Sequence, residues 1–460
     1  MSADLNAPIP ALLPRTAGGH QFVFYGDSCS GIPGGAFETN FAAVNAALQR
    51  LQPRPEFVAF LGDHVAGMTT DYRELRRQWR HWLDHEMSWL GESIPLYHTT
   101  SNHNTYDAGS ETVWREVFPG LPGNGPSGQQ GLSYYVRRGS LLLAIVNTSC
   151  VALGGPGHVE CEWLDKVLGE NSDARHKLVM GHHPVHPVNG YADHPLWRIE
   201  PEEGSAFWQV LVNHSVLAYL CSHIIAFDVQ VHDGVLQVTS GGAGTRYGPG
   251  GFMPGETEYH HLVQAAADDI GFRYQVVDCT GAVREGLSWP LASAASTWQP
   301  ISSGAQKSLD QTNCVLVYRF SGLNAERADG SDQTLLCGWC REEGPPVIRV
   351  GLAESELVVE LVARPGRGSA LWHGPAIAPG GRFNVEVGFH PGMGPGGILW
   401  RRVGSDCWSS LATSSARGLE ALTWPEQWTV GHGPSGPGDT PFRGQDMVVQ
   451  RRLTRLPKEG

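Results

Sequence analysis

The sequence predicts an α/β first part built on a parallel or mixed sheet and an all-β second part. Three observations predict this. At 460 residues the chain is too long for one ordinary hydrophobic core. In its first two thirds, short β-branched and aromatic runs alternate with segments of helical period. Beyond about residue 296 helical periodicity is lost, and short apolar runs separated by Gly and Pro clusters remain.

The elements follow in order. Phe22-Val-Phe-Tyr25 reads as a strand. Ala36 to Leu51 places Phe37, Phe41, Val44 and Leu48 at helical spacing. Phe57 to Leu61 is the next strand. Asp71 to Leu90 is expected as one long helix with Leu75, Trp79, Trp82 and Leu83 on a face. Ile94–Tyr97, Leu141–Val146, Leu178–Met180 and Val216–Cys221 are further strands, and Glu160–Leu168 is an amphipathic helix. Two alternating runs around Asp233-Gly234 predict a hairpin over Phe227–Thr239. Ile270–Val277 and Val283–Leu287 suit another antiparallel pair.

The small-residue stretch Ser288–Thr297 reads as a linker, which sets domains at 18–292 and 296–460. The runs Val315–Phe320, Leu357–Val362, Phe383–Val387 and Met447–Gln450 suit an antiparallel β-sandwich. Its tryptophans, among them Trp339, Trp372, Trp400, Trp408, Trp424 and Trp428, suit core packing better than sugar stacking.

Composition narrows the function. Hydrophobic content of 41% and charged content of 17% suit a folded chain. A net charge of −13 argues against a non-specific nucleic-acid binder, which needs a basic surface. No apolar run approaches the length of a membrane span, and Met1–Gly19 does not read as a secretory signal, so a cytoplasmic location is expected. Nine scattered cysteines do not suggest a disulfide framework. Cys337-Gly-Trp-Cys340 lacks a second pair to complete a zinc site.

Histidine carries the chemistry. Seventeen of the twenty lie before residue 262, so a histidine-based site belongs to the first part. Five metal-type ligands each follow a strand-like run: Asp27, Asp63, Asn102, His182 and His223, at intervals of 36, 39, 80 and 41 residues. Ligands in α/β folds gather at the C-terminal ends of strands. Gly26 and Gly62 precede the two aspartates and permit a tight turn beneath an ion. Mixed N/O ligands without a thiolate set describe a catalytic centre better than a structural zinc site. Any one of these residues alone suits a turn or a buried core position. In series they point to a metal centre, with His103 beside Asn102 as a proton donor.

With these motifs, residues 20 to about 245 resemble the calcineurin-like metallophosphoesterase superfamily, which includes the purple acid phosphatases. The resemblance implies a four-layer sandwich of two mixed sheets flanked by helices. It implies that Asp27 binds a first metal, Asp63 bridges two, and Asn102, His182 and His223 hold the second. The cofactors implied are one or two divalent ions (Zn, Mn or Fe). The activity implied is hydrolysis of a small-molecule phosphomono- or diester by a metal-activated hydroxide, with His103 as general acid. The chain departs from the pattern at specific places. Ser101 replaces a glycine, Asn104 an acidic residue, and Ile225 the second histidine of Gly-His-x-His. Cys29 and Ala66 stand where other members carry a histidine or a tyrosine. The first site is therefore weak, empty, or rebuilt from other residues such as His64, Asp228 or His232.

Other features are weaker. His183, His186 and His194 with Tyr191 are expected on an exposed loop, with substrate contact as the other reading. Of His260 and His261, at most one can face a site from a strand. Gly241–Gly244 fits a loop bordering the centre better than a dinucleotide loop. The second part resembles concanavalin- or laminin-G-like jelly rolls, which implies a glycan or oligomer contact. The alternative function is a glycan- or partner-binding protein with a catalytically degenerate phosphoesterase part.

Overall fold

The computed structural model describes residues 8–10, 18–91, 93–191, 193–246, 258–290, 297–305, 314–325, 332–339, 347–362, 369–418, 424–425, 427–433 and 440–455. The first part contains two six-stranded mixed sheets. One runs in the order Val283–Trp289, Gly271–Asp278, His261–Asp268, His20–Tyr25, Val58–Phe60, Leu96–His98. The last three are parallel, and His261–Asp268 is antiparallel to His20–Tyr25. The other runs Phe227–His232, Val235–Ser240, Ala218–Cys221, His176–Met180, Leu141–Ile145, Tyr134–Arg138. Its four central strands are parallel, and its two edge pairs are antiparallel.

Strand alternation builds the layers. Phe22 and Phe24 point to the opposing sheet, where they meet Leu141, Leu143, Leu178, Met180 and Leu220. Val23 and Tyr25 point the other way, onto Phe41, Val44, Leu75, Trp79 and Trp82 of the covering helices. Leu142, Ala144 and Val179 likewise face Leu164, Leu168, Phe207 and Leu211. The result is helix, sheet, sheet, helix, the four-layer arrangement expected. Each fully buried large side chain contributes about 1.5–3 kcal/mol of transfer free energy.

The expected helix over 71–90 is not continuous. An α-helix spans Tyr72–His81, capped by the Asp71 side chain, and a π-helical turn follows at Trp82–Glu86. The widened turn brings Trp82 Nε1 to 3.2 Å from Ser28 Oγ. It also carries Glu86 to Gly31 N (3.1 Å) and Ser30. Helices at Ala108–Val117 and Pro201–Asn213 complete the outer layers. The hairpin at Asp233-Gly234 and the antiparallel pair 271–289 form as their patterns suggest.

The second part is a sandwich of six- and seven-stranded antiparallel sheets. Phe320, Val387 and Ile398 of one sheet pack on Leu336, Val350, Trp372 and Trp428 of the other. Trp372 is fully buried, and Trp339 and Trp408 nearly so, as core residues. The expected linker core, 291–296, and Cys340 lie outside the described residues. The sandwich covers the edge strand Phe227–His232: Val231 N donates to Ser410 Oγ and Asp233 N to Ser409 Oγ, each at 3.0 Å. Among the described residues no helix is long and apolar enough to cross a membrane.

Candidate metal centre

Parallel strands in each sheet deliver their C-terminal loops to one end. Asp27, Asp63, Asn102 and His103 come from the first sheet; His182 and His223 come from the second. The loops are tied by backbone hydrogen bonds. Asp27 N donates to Gly62 O (3.1 Å) and Cys29 N to Asp63 O (2.7 Å). Ser222 N donates to His182 O (2.9 Å). The loop after Val235–Ser240 borders the same centre, with Ala243 N on Gly26 O and Thr245 N on Asp27 O, both 2.9 Å.

The backbone is strained here. Asp27 (φ 66°), Cys29 (φ 41°), Asp63 (φ 51°) and His223 (φ 71°) all adopt left-handed conformations. Each costs about 1–2 kcal/mol for an L-residue, and such strain clusters at functional sites.

The proton positions matter most. His182 Nδ1 lies 2.9 Å from Leu61 O, and His223 Nε2 lies 2.9 Å from Leu196 O. A carbonyl only accepts, so both rings donate there. That leaves lone pairs on His182 Nε2 and His223 Nδ1, which face each other at 3.1 Å. Asn102 Oδ1 is 2.9 Å and Asp63 Oδ1 3.3 Å from His182 Nε2. Four acceptors therefore converge with no proton to share, an arrangement that a cation relieves. Tethering one ring nitrogen to a carbonyl while the other stays open is the usual preparation of a metal-ligating histidine. Burial lowers the pKa of both rings, that of His223 to about 4 with His182 adding to the effect, so both are neutral near pH 7.

The carboxylates divide. Burial, then the neighbouring Asp63, drives the Asp27 carboxyl well above the usual range. Burial also pushes Asp63 upward, but the imidazoles of His182, His103 and His223, once protonated in acid, and the Ser101 hydroxyl pull it below the usual carboxylate range. Asp27 Oδ2 accepts from His223 N (3.0 Å), while its buried Oδ1 has no partner. Cys29 Sγ lies 3.9 Å from Asp63 Oδ2, and burial followed by Asp63 keeps it a thiol. His103 Nδ1 donates to Ala66 O (2.7 Å), and its Nε2 is 3.8 Å from Asp63 Oδ2.

The donors form overlapping groups: Asp27–Asp63–His182, Cys29–Asp63–His103 and His182–His183–His223, each with its ligand atoms within 4.8 Å of one another. His64, Asp228 and His232 belong to none of these groups. His64 is turned into the core, bonded to Asn104 Oδ1 (2.8 Å) and His98 Nδ1 (3.0 Å). Asp228 holds Asn189 and Gln230, and His232 stacks on His186. His261 is buried against Ser240 and Tyr259. Asn104 accepts from Ser101 Oγ and His64, so an amide suits a position next to a neutral imidazole.

Sequence reasoning missed four supporting residues. His183, expected on an exposed loop, is completely buried. Ser101 Oγ accepts from Asp63 N (2.9 Å), Ser222 Oγ donates to Leu61 O (2.7 Å), and Thr148 Oγ1 accepts from His182 N (3.2 Å). The adjacency of His182 and His183 before Pro184 was the available signal.

Gly62 supplies a test. Its φ is +99°, and an added Cβ would sit 2.5 Å from His182 Nδ1. Gly62→Ala should displace that ring and weaken metal binding by about 10- to 100-fold. Chelator competition measures it; unchanged affinity would remove His182 from the ligand set.

No protein-family model matches the sequence, and no curated protein matches it. Solved structures with similar folds include a purple acid phosphatase from yellow lupin (Lupinus luteus) seeds. It is 13% identical, with a TM-score of 0.45, over 58% of this chain and 53% of that one. The present chain thus spans about half the length of the lupin protein. A dimetal phosphatase from Danio rerio is 17% identical, with a TM-score of 0.42, over 59% of this chain and 99% of its own. A CBM40 module of a Ruminococcus gnavus sialidase, bound to sialyllactose, is 12% identical, with a TM-score of 0.25, over 36% of this chain and 93% of its own. Similarity at this level assigns neither family nor activity.

Proposed function

We propose that this protein is a metal-dependent hydrolase of small-molecule phosphoesters. The observation that carries the reading is the convergence of four acceptor atoms, from Asp63, Asn102, His182 and His223, with both imidazole protons directed to backbone carbonyls. These residues would hold one divalent cation, such as Zn, Mn or Fe. Asp27, with its orphaned Oδ1, Asp63 and Cys29 offer a poorer set for a second. A cation there supplies a water of lowered pKa as nucleophile and positive charge for the phosphoryl oxygens.

The chain's own groups do the rest. Asp63 and Asn102 would hold the cation from the first sheet, and His182 and His223 from the second. His103 stands beside Asp63, partly exposed, with its Nε2 3.8 Å from Asp63 Oδ2, where it can protonate a departing oxygen. The Ala66 carbonyl sets its ring orientation.

The experiment is metal analysis of protein purified without chelator, together with turnover of aryl phosphomono- and diesters in added Zn or Mn. At least one bound transition-metal ion and activity lost in Asp63→Asn are expected. Trace metal only would sink the reading. Bound metal without turnover of any ester would favour a binding protein instead.

A further inference from the structure

His183 has no role in the reading above. Its side chain is completely buried between Thr148 and the rings of His182 and His223. The ring centroids lie 5.0 Å from that of His182 and 4.4 Å from that of His223. Its Nδ1 is 3.0 Å from Thr148 Oγ1. Thr148 Oγ1 already accepts from the backbone N–H groups of His182 (3.2 Å) and His183 (3.1 Å). The tautomer with the ring proton on Nδ1, facing Thr148, leaves Nε2 as a lone pair. That Nε2 is buried and has no hydrogen-bond partner. A buried polar atom without a partner costs about 1–3 kcal/mol and calls for an occupant. His182 and His223 form one group of mutually close ligand atoms with His183, all within 4.8 Å of one another.

We propose that His183 is a further ligand of the cation, making this a three-imidazole site completed by Asp63 and Asn102. The inference rests on the metal-hydrolase reading and deepens it. A nitrogen-rich set selects zinc-type cations over Mn(II) and Mg(II), which favour oxygen. It also gives one position enough donors to hold a single ion firmly, although Ile225 brings no imidazole to the other position. His183 differs from His186, which stacks on His232 at a centroid distance of 3.5 Å and belongs to no ligand group.

The test uses the full chain as wild type, His183→Asn and His186→Asn. Each is stripped of metal and titrated with Zn(II) against a chromophoric chelator. Far-UV circular dichroism and the metal-free thermal midpoint report folding. The expected result is one zinc per wild-type chain, affinity at least tenfold weaker in His183→Asn, and affinity within twofold of wild type in His186→Asn. A folded His183→Asn that binds zinc within twofold of wild type overturns the proposal and leaves the hydrolase reading standing. A wild-type chain that binds none of zinc, cobalt, manganese and iron overturns both. Should His183→Asn fail to fold, zinc-edge X-ray absorption on the wild type decides: three imidazoles support the proposal and two overturn it.

Discussion

His103→Ala lowers turnover of an aryl phosphoester by about 10²- to 10⁴-fold while bound metal stays at the wild-type level. Both halves of this result come from geometry. His103 Nδ1 is committed to Ala66 O at 2.7 Å, so Nε2 is the nitrogen that exchanges protons with solvent or substrate. The imidazole is partly exposed, with Nε2 3.8 Å from Asp63 Oδ2. The four convergent acceptors come from other residues, so deleting the ring leaves the cation in place. Gly67 holds this arrangement from behind. At φ +54°, a Cβ there would fall 1.7 Å from His103 O, so Gly67→Ala should reproduce much of the loss. Steady-state kinetics with metal quantification on the same samples check both. Full activity in His103→Ala would end the general-acid role. Loss of metal in that variant would make the residue a ligand instead.

The second large effect is loss of the fold in mild acid. Histidines turned into the core are buried in neutral form. Burial lowers the pKa of His64 to about 3, and that of His261 to about 4. His98 is driven the same way by burial and then by His64. Burial is what favours the neutral state: His64 Nε2 and His98 Nδ1 share one proton across 3.0 Å, while the Tyr259 carbonyl, 2.7 Å from His261 Nδ1, offsets only part of the burial effect. In the unfolded chain these groups titrate near 6.5. The folded pKa values are the lower ones, so the unfolded state binds more protons in acid. The stabilisation is fully present above about pH 6.5 and is lost as pH falls toward 4 and below. His64 and His261 alone amount to roughly 5 kcal/mol over two pH units, a large share of the 5–15 kcal/mol typical of a domain. Thermal midpoints measured between pH 7.5 and 4.5 should fall steeply. A flat profile would show that these rings already have room to take up protons.

The alternating strands, the hairpin and the amphipathic helices were legible because period and turn chemistry are local. The five metal-type residues and His103 could be read in order because each follows an apolar run. What could not be read depends on three dimensions. The π-helical turn at Trp82–Glu86 answers to Ser28, Ser30 and Gly31, more than fifty residues earlier. The burial of His183 depends on Thr148 and on the second sheet's packing. The inward turn of His64 depends on Asn104 and His98. In each case a distant partner chose between two conformations that the local sequence allows equally.

The seam along Phe227–His232 bears on how such a chain can be divided or inherited. Ser409 and Ser410 occupy the outward N–H groups of Asp233 and Val231, and Gly396 lies so close that an added Cβ would be 1.9 Å from Val229 O. A chain cut before Gln299 would leave that strand bare, with Val229 and Val231 beside open backbone groups. Such an edge recruits the nearest extended segment, including the same strand of another molecule. The half that carries the candidate metal centre would then emerge as aggregates, not as a small folded unit. Shuffling the two halves with foreign neighbours would meet the same barrier unless the newcomer brought its own pair of hydroxyls to that seam.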